Sequence, residues 1–378
     1  MLNIQLMNKI AKIGTDKFDT AKYTVGEDVR NADAILVRSA VLHDTVFPSS
    51  LKSIARAGAG VNNIPLDRCA DDGIVVFNTP GANANGVKEI VIAALLLASR
   101  DIIGGVEWVK TLKGDEEAAK KVEKGKAQFA GCEIMGKTLG VIGLGAIGRL
   151  VANVACSLGM TVVGCDPYLS EAAAKMLSPD VKVVSSYDEI YSEADYITLH
   201  VPATPQTKGM INATTLSSMK DGVKLLNFSR ADLVIESDMV KALENGKVAK
   251  YVVDFPTVGI IGASDKIIAI PHLGASTEES EDNCAVMAAN QTIDYLENGN
   301  IVNSVNYPNF SMPRSTDKRV CVLAKNADVA EITKAVSGIA ASGSATKGDY
   351  VYAVYDVTGD VDAEKIKAVN GVIRVIVL

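Results

Sequence analysis

The chain has 378 residues, 48% hydrophobic and 22% charged, and a formal net charge of −7 from 38 Lys and Arg against 45 Asp and Glu. That length accommodates two or three domains, and the composition is that of a folded globular protein. The acidic balance argues against nucleic acid as a partner, since neutralising phosphates calls for a basic surplus. The longest apolar run, Ile90–Ala98, is bracketed by Glu89 and Arg100. It falls well short of the ~20 residues a spanning helix needs, so no membrane role is expected. The chain does not open with a basic, apolar and small-residue leader pattern. Its six cysteines form no C-x-x-C pair, and it has only three histidines. Neither a metal site nor a disulfide framework is therefore expected, and a reducing cytoplasm is the expected compartment.

In chain order, short apolar runs alternate with helical patterns. Strands are predicted at Ala34–Arg38 and Ile74–Phe77, followed by one long helical pattern from Asn85 to Lys113. The Lys- and Glu-rich stretch Gly114–Gly136 reads as a solvated connector. Further strands follow at Thr138–Ile142, Thr161–Cys165, Val181–Val184, Tyr196–Leu199, Lys224–Asn227, Tyr251–Val253 and Lys266–Ile270. A second long helix spans Thr277–Asn298. Such alternation predicts an α/β protein with parallel sheets covered by helices. The two long helices read as crossings between two lobes, residues 1–96 with 283–310 and residues 97–282. A chain that enters a second domain and returns leaves a cleft, a common place for ligands.

Asn306–Asp317, with two prolines, reads as a linker. Beyond it, the predicted order is strand Arg319–Lys325, helix Asp328–Ala341, a short strand near Ser342–Thr346, strand Tyr350–Val357, helix Glu364–Val369 and strand Val372–Leu378. This β-α-β-β-α-β order predicts a ferredoxin-like α+β domain over residues 311–378.

The strongest motif is Gly143-Leu144-Gly145-Ala146-Ile147-Gly148, set between an apolar strand and an amphipathic helix. Gly143 permits the tight turn, Gly145 lets the backbone approach a pyrophosphate, and Gly148 allows close helix–strand packing. The helix N-terminus offers free N–H groups to phosphate. The next strand ends at Asp166, whose carboxylate can accept both ribose hydroxyls and repel a 2′-phosphate. The ordered context makes this a dinucleotide fingerprint, with NAD expected over NADP.

Of the histidines, His43 is placed in a surface helix, and His200 is read as lining the crevice without chemistry. His272, in I-P-H-L-G-A-S-T, is the acid/base candidate, with Gly274 leaving room for a ligand. Arg230 ends L-L-N-F-S-R, where a guanidinium faces the crevice and can hold a carboxylate bidentately. Arg56-Ala-Gly-Ala-Gly60 is a glycine loop beside a cation, a weakly specific anion signature.

The stretches G-K-T-L-G-V-I-G-L-G-A-I-G-R, L-H-V-P-A-T-P-Q-T-K-G-M-I-N, L-L-N-F-S-R-A-D-L-V and P-H-L-G-A-S-T occur in that order. Together they resemble the D-isomer-specific 2-hydroxyacid dehydrogenase family. The resemblance implies two Rossmann-like lobes, the substrate lobe discontinuous, and NAD-dependent oxidation of a small 2-hydroxy acid. V-R-S-A, R-A-G-A-G-V-N-N-I and N-T-P-G-A-N-A-N-G-V-K-E are similar to the substrate lobe of the branch that oxidises 3-phosphoglycerate to 3-phosphooxypyruvate, the entry to serine. The C-terminal piece resembles an ACT domain, a small regulatory module. In residues, the resemblance implies His272 as acid/base, Arg230 at the carboxylate, and Gly143, Gly145, Ile147, Gly148 and Asp166 at the cofactor. Pro202, Thr204, Thr207 and Ser229 match positions lining the cofactor site, and Asp254 matches an acid near the nicotinamide carboxamide. Arg38, Arg56, Gly58 and Lys126 match substrate-binding positions. It further implies a homodimer or higher homo-oligomer in which the long helix near Asn85–Lys113 is exchanged. Two alternatives share the fold: a dehydrogenase of glycerate, hydroxypyruvate or another small 2-hydroxy acid, and an NAD-sensing scaffold without turnover.

One departure stands out. Family members carry a glutamate in a D-V-F-x-x-E-P-like segment, hydrogen-bonded to the histidine, whereas this chain reads V-V-D-F-P-T-V-G-I-I-G there. Asp254, Asp265 and Glu278 are the nearest acids in sequence.

Overall fold

The computed structural model describes residues 1–378. Contact density divides the chain into two compact units: Ala84–Thr277, and Met1–Asn83 together with Glu278–Leu378. The lobe boundaries expected at 96/97 and 282/283 are thus drawn at 83/84 and 277/278. Residues 311–378, expected as a domain of their own, fall in the same unit as the N-terminal segment. No helix is long and apolar enough to cross a membrane.

In the discontinuous unit, five parallel strands run in the order β2-β1-β3-β4-β5, with β1 Leu2–Met7, β2 Tyr23–Gly26, β3 Ala34–Val37, β4 Ser53–Arg56 and β5 Val75–Phe77. The central strands A-I-L-V and S-I-A-R are buried on both faces, as parallel strands between helices must be. Helix Glu278–Asn298 packs its small residues Ala285, Ala288 and Ala289 into the same core. His43 lies in a turn, not the predicted helix, and its Nε2 faces the Asn62 carbonyl at 2.9 Å.

The continuous unit holds seven parallel strands: β6 Thr138–Ile142, β7 Thr161–Cys165, β8 Val181–Val183, β9 Tyr196–Leu199, β10 Val223–Asn227, β11 Val248–Val253 and β12 Ile267–Ala269. Their order is β12-β11-β10-β9-β6-β7-β8. The order reverses between β6 and β9, and in a doubly wound sheet ligands bind outside the carboxyl ends at that switch point. The expected single helix from Asn85 to Lys113 is two, Ala84–Ser99 and Ile102–Thr111. Asp101 starts the second by accepting from Gly104 N at 3.1 Å, an N-cap that outweighs the continuous apolar pattern. Within the expected connector, Ala118–Gly125 is helical.

The C-terminal segment forms an antiparallel sheet, β14-β15-β13-β16, from β13 Lys318–Lys325, β14 Ile339–Lys347, β15 Tyr350–Val357 and β16 Val372–Val377. With helices Val329–Ala335 and Ala363–Lys367 the predicted β-α-β-β-α-β order holds. The first helix is six residues shorter at its C-terminal end than expected. Gly338 turns the chain at φ +66°, and the following residues pair with β15 instead. Cys321, Leu323, Tyr352, Val354 and Ile376 share one core with Phe77, Tyr295 and Tyr307. Lys325 and Tyr350 both reach Asp71 Oδ1, at 2.7 and 2.8 Å, and Tyr352 donates to the Gly299 carbonyl at 2.5 Å. Sheet and N-terminal segment are therefore fused by a common apolar core as well as by polar ties.

Candidate active site

The crevice is built at the carboxyl ends of β6 and β9. Gly143 leaves β6 with φ +92°, and a Cβ there would lie 2.5 Å from the His200 carbonyl oxygen. A Cβ on Gly148 would collide with the Gly143 carbonyl. These two glycines are thus demanded by the fold itself. Gly145 differs: no atom lies within 4 Å of where its Cβ would be. Packing does not explain its missing side chain, whereas close approach of a pyrophosphate does. Ile147 immediately precedes helix Gly148–Ser157, whose N-terminus faces that space.

Asp166 follows β7 and braces the loop. Its two oxygens accept from Leu144 N and Tyr168 N, both at 2.9 Å, leaving further lone pairs for hydroxyls. Thr207 Oγ1 donates to the Pro202 carbonyl at 2.6 Å and accepts from Thr204 N at 2.8 Å, fixing the turn after β9. Ser229 Oγ donates to the Leu199 carbonyl at 2.7 Å and ties the end of β10 to that of β9. Burial pushes the His200 imidazole down to about 3, so it is neutral near pH 7. Its Nε2 sits 3.0 Å from Thr198 Oγ1, and its buried Nδ1 has no partner.

On the far side of β10, three groups meet. The Phe255 ring lies 4.2 Å from the His272 ring, and the Arg230 guanidinium carbon sits 5.2 Å from the Phe255 centroid. Arg230 and His272 are both exposed. Beside them Asp254 is only 2% exposed, with one oxygen lacking any partner. Burial pushes its carboxyl up to about 7, against the opposing pull of its own backbone N–H and the Arg230 charge. Phe255 was not singled out from the sequence; its place directly after Asp254 was the only signal. A Cβ on Gly274 would lie 3.1 Å from the Val87 side chain, so packing against helix Ala84–Ser99 by itself favours glycine there.

The acid on the segment after Phe255 is none of those nearest in sequence. Glu236, the first residue of helix Glu236–Glu244, accepts from Thr257 Oγ1 at 2.6 Å, and its carboxylate fills the space a Cβ on Gly259 would need. Only the three-dimensional fold makes it visible.

In the discontinuous unit, Arg56 and Arg38 adjoin: Arg56 Nε donates to the Arg38 carbonyl at 3.1 Å, and Arg38 pairs with Glu281 at 2.6 Å. Gly58, at φ +153°, lies under the Arg56 guanidinium, where any Cβ would clash. Lys126 is exposed and pairs with Glu123 at 2.5 Å.

The doubly wound parallel sheet and the glycine loop at its switch point form a dinucleotide-binding architecture. Residues 92–274 match the model of the NAD binding domain of the D-isomer specific 2-hydroxyacid dehydrogenase family. Among similar proteins, a D-3-phosphoglycerate dehydrogenase of Synechocystis sp. is 34% identical over 318 residues, covering 82% of this chain and 55% of that one. One of Methanocaldococcus jannaschii is 35% identical over 292 residues, covering 75% and 53%. The chain thus spans about half the length of the curated relatives it matches. An NAD+-bound 3-phosphoglycerate dehydrogenase structure from Entamoeba histolytica superimposes with a TM-score of 0.64 at 25% identity, covering 81% of this chain and 98% of that one. The open space at Gly145 and the unpartnered buried oxygen of Asp254 fit NAD as the cofactor.

Proposed function

We propose that the protein oxidises 3-phospho-D-glycerate to 3-phosphooxypyruvate with NAD, the first step of L-serine biosynthesis. The observation that carries this reading is the convergence of Arg230 and His272 on the Phe255 ring. Bound NAD supplies the acceptor for the C2 hydride. His272 takes the hydroxyl proton in oxidation and returns it in reduction. Arg230 holds the carboxylate and carbonyl oxygen and stabilises charge as it develops. Phe255 fixes the spacing of the two, and Asp254 receives the carboxamide. Asp166 favours NAD by placing a carboxylate where a 2′-phosphate would go. Arg56, Arg38 and Gly58 bind the phosphate, with Lys126 an outlying cation.

A second reading, a dehydrogenase of an unphosphorylated 2-hydroxy acid, draws on one contact: Glu281 already neutralises Arg38. NADH oxidation measured with phosphooxypyruvate beside hydroxypyruvate separates the two. The first reading expects a clear preference for phosphooxypyruvate that Arg56→Ala abolishes; equal use of both substrates favours the second. His272→Ala should cost ~10²–10⁴-fold in kcat, and undiminished turnover would remove the histidine from the mechanism.

We also propose a homodimer, in a cytoplasmic setting. Helix Ile102–Thr111 buries none of its residues, and Ile102, Ile103, Val106 and Val109 are each 44–49% exposed. An apolar helix face of this kind is what a second copy would cover. The C-terminal sheet is read as an ACT-type regulatory module from its strand and helix order.

A further inference from the structure

Burial pushes up the thiols of five of the six cysteines, of which only Cys156 is partly exposed. Cys69, Cys165, Cys284 and Cys321 are buried, with Cys69 raised to about 12 and Cys321 to about 11. Cys132 is different. It is partly exposed, in the loop that returns from helix Ala118–Gly125 to β6, and its backbone N–H donates to the Ser99 carbonyl at 3.0 Å. Its sulfur lies 3.4 Å from Lys224 Nζ and 3.4 Å from the Tyr196 hydroxyl.

Lys224 is the informative member. It is half-buried on β10, and it makes no ion pair with a carboxylate. Its partners are the Cys132 sulfur, the Tyr196 hydroxyl at 3.2 Å and the face of the Tyr196 ring at 4.5 Å. Taking an ammonium out of water without an anion is costly, and the one group beside it able to become an anion near neutral pH is the thiol. Tyr196 completes the arrangement. Ser99 Oγ donates to the Leu95 carbonyl at 2.7 Å, which leaves the Tyr196 proton to be aimed at Ser99 Oγ or at the sulfur. The Tyr196 hydroxyl and the charges of Lys224 and Lys137 hold the Cys132 thiol below its ordinary value, against its own partial burial.

We propose that Cys132 and Lys224 form a thiolate–ammonium pair, a modification site for small electrophiles and hydroperoxides at the amino ends of β9 and β10. This is the end of the sheet opposite the crevice. With a hydroperoxide, the thiolate sulfur attacks one peroxide oxygen, the S–O bond forms as the O–O bond breaks, and the departing hydroxide or alkoxide takes a proton from solvent. The sulfur is oxidised to a sulfenic acid, whose oxygen keeps the peroxide's hydrogen, and the peroxide is reduced to water or an alcohol, with Lys224 remaining beside the sulfur.

The test is brief alkylation of the native full chain with iodoacetamide, in which sulfur displaces iodide, read by peptide mass across pH 6–10. Cys132 should be labelled at least about 10-fold faster than any other cysteine at pH 7, with its half-maximal rate below the ~8.5 of an ordinary thiol. Lys224→Met should slow Cys132 labelling at pH 7 by about 10-fold and shift the profile upward. Hydrogen peroxide followed by dimedone should mark Cys132 in the parent. A parent profile with its midpoint at or above ~8.5, or a folded Lys224→Met that labels like the parent, overturns the proposal. The parent profile decides the matter even where that variant does not fold.

Discussion

Two buried aspartates are pushed in opposite directions. Asp254, at the crevice, is 2% exposed, and burial lifts its carboxyl to about 7. Asp356, on β15 of the C-terminal sheet, is fully buried, yet it is held at about 2. Burial alone would raise both. At Asp356, Arg319 donates through Nε at 2.6 Å and Nη2 at 3.0 Å, and Ser315 N and Oγ add bonds at 2.7 and 2.8 Å. Arg319 is itself satisfied by the carbonyls of Asn298 and Met312. Asp254 has no such shell, and one oxygen has no partner. A complete shell accounts for an acid that serves the fold, whereas the unpartnered oxygen of Asp254 leaves an acceptor for a further donor.

The largest expected effect comes from breaking the complete shell. Asp356→Asn strands the Arg319 charge in the core and should cost ~3–5 kcal/mol in urea unfolding. The pH dependence has a definite sign. The folded value lies below the unfolded ~3.9, so the contribution is full above about pH 4 and is lost as pH falls toward about 2. A parent whose stability is flat over that window would show that the pair contributes nothing.

Asp254 should behave in the reverse sense. Its folded value lies above the unfolded one, so the folded state prefers the neutral acid. Stability is full below about pH 4 and declines as pH rises toward about 7. Asp254→Asn removes that penalty and should stabilise the cofactor-free protein by ~1–3 kcal/mol at pH 8, with no gain at pH 4. Turnover should fall in the same variant. A destabilised Asp254→Asn at pH 8 would mean that the carboxylate is satisfied by a group the fold supplies, and the contrast with Asp356 would collapse.

How much of this was legible in sequence follows the same division. The continuous unit was readable because its strands are apolar runs bounded by glycine, and the fingerprint fixes the order of turn, helix and acid. β4 was not, although it carries Arg56: S-I-A-R is short, with small residues, and becomes a strand only by burial between β3 and β5. The helix break at Arg100–Asp101 was masked by apolar residues on both sides. At the site, neighbouring prolines, glycines and strand ends mark His272 and Arg230 as candidates in the sequence. Phe255 and Glu236 were not, because one acts through a ring contact and the other arrives from a helix about 20 residues earlier in the chain. The fusion of the C-terminal sheet escaped for the same reason: its shared core pairs residues more than 200 positions apart.

The smallest stability effect is expected at Gly145, where it separates ligand need from fold need most cleanly. Its φ lies outside the left-handed region and nothing approaches its Cβ position within 4 Å. Gly145→Ala should therefore leave thermal unfolding unchanged or raise stability by ~0.4–1 kcal/mol, through a less flexible unfolded chain. The added methyl occupies the space a pyrophosphate must enter, so NAD affinity by calorimetry should fall at least about 10-fold, ~1.4 kcal/mol. Gly143→Ala is the matched control. There the φ of +92° and the His200 carbonyl both oppose a side chain, and stability and affinity should fall together. If Gly145→Ala binds NAD as the parent does, the open space over the loop is not where the cofactor lies, and the assignment of the crevice fails with it.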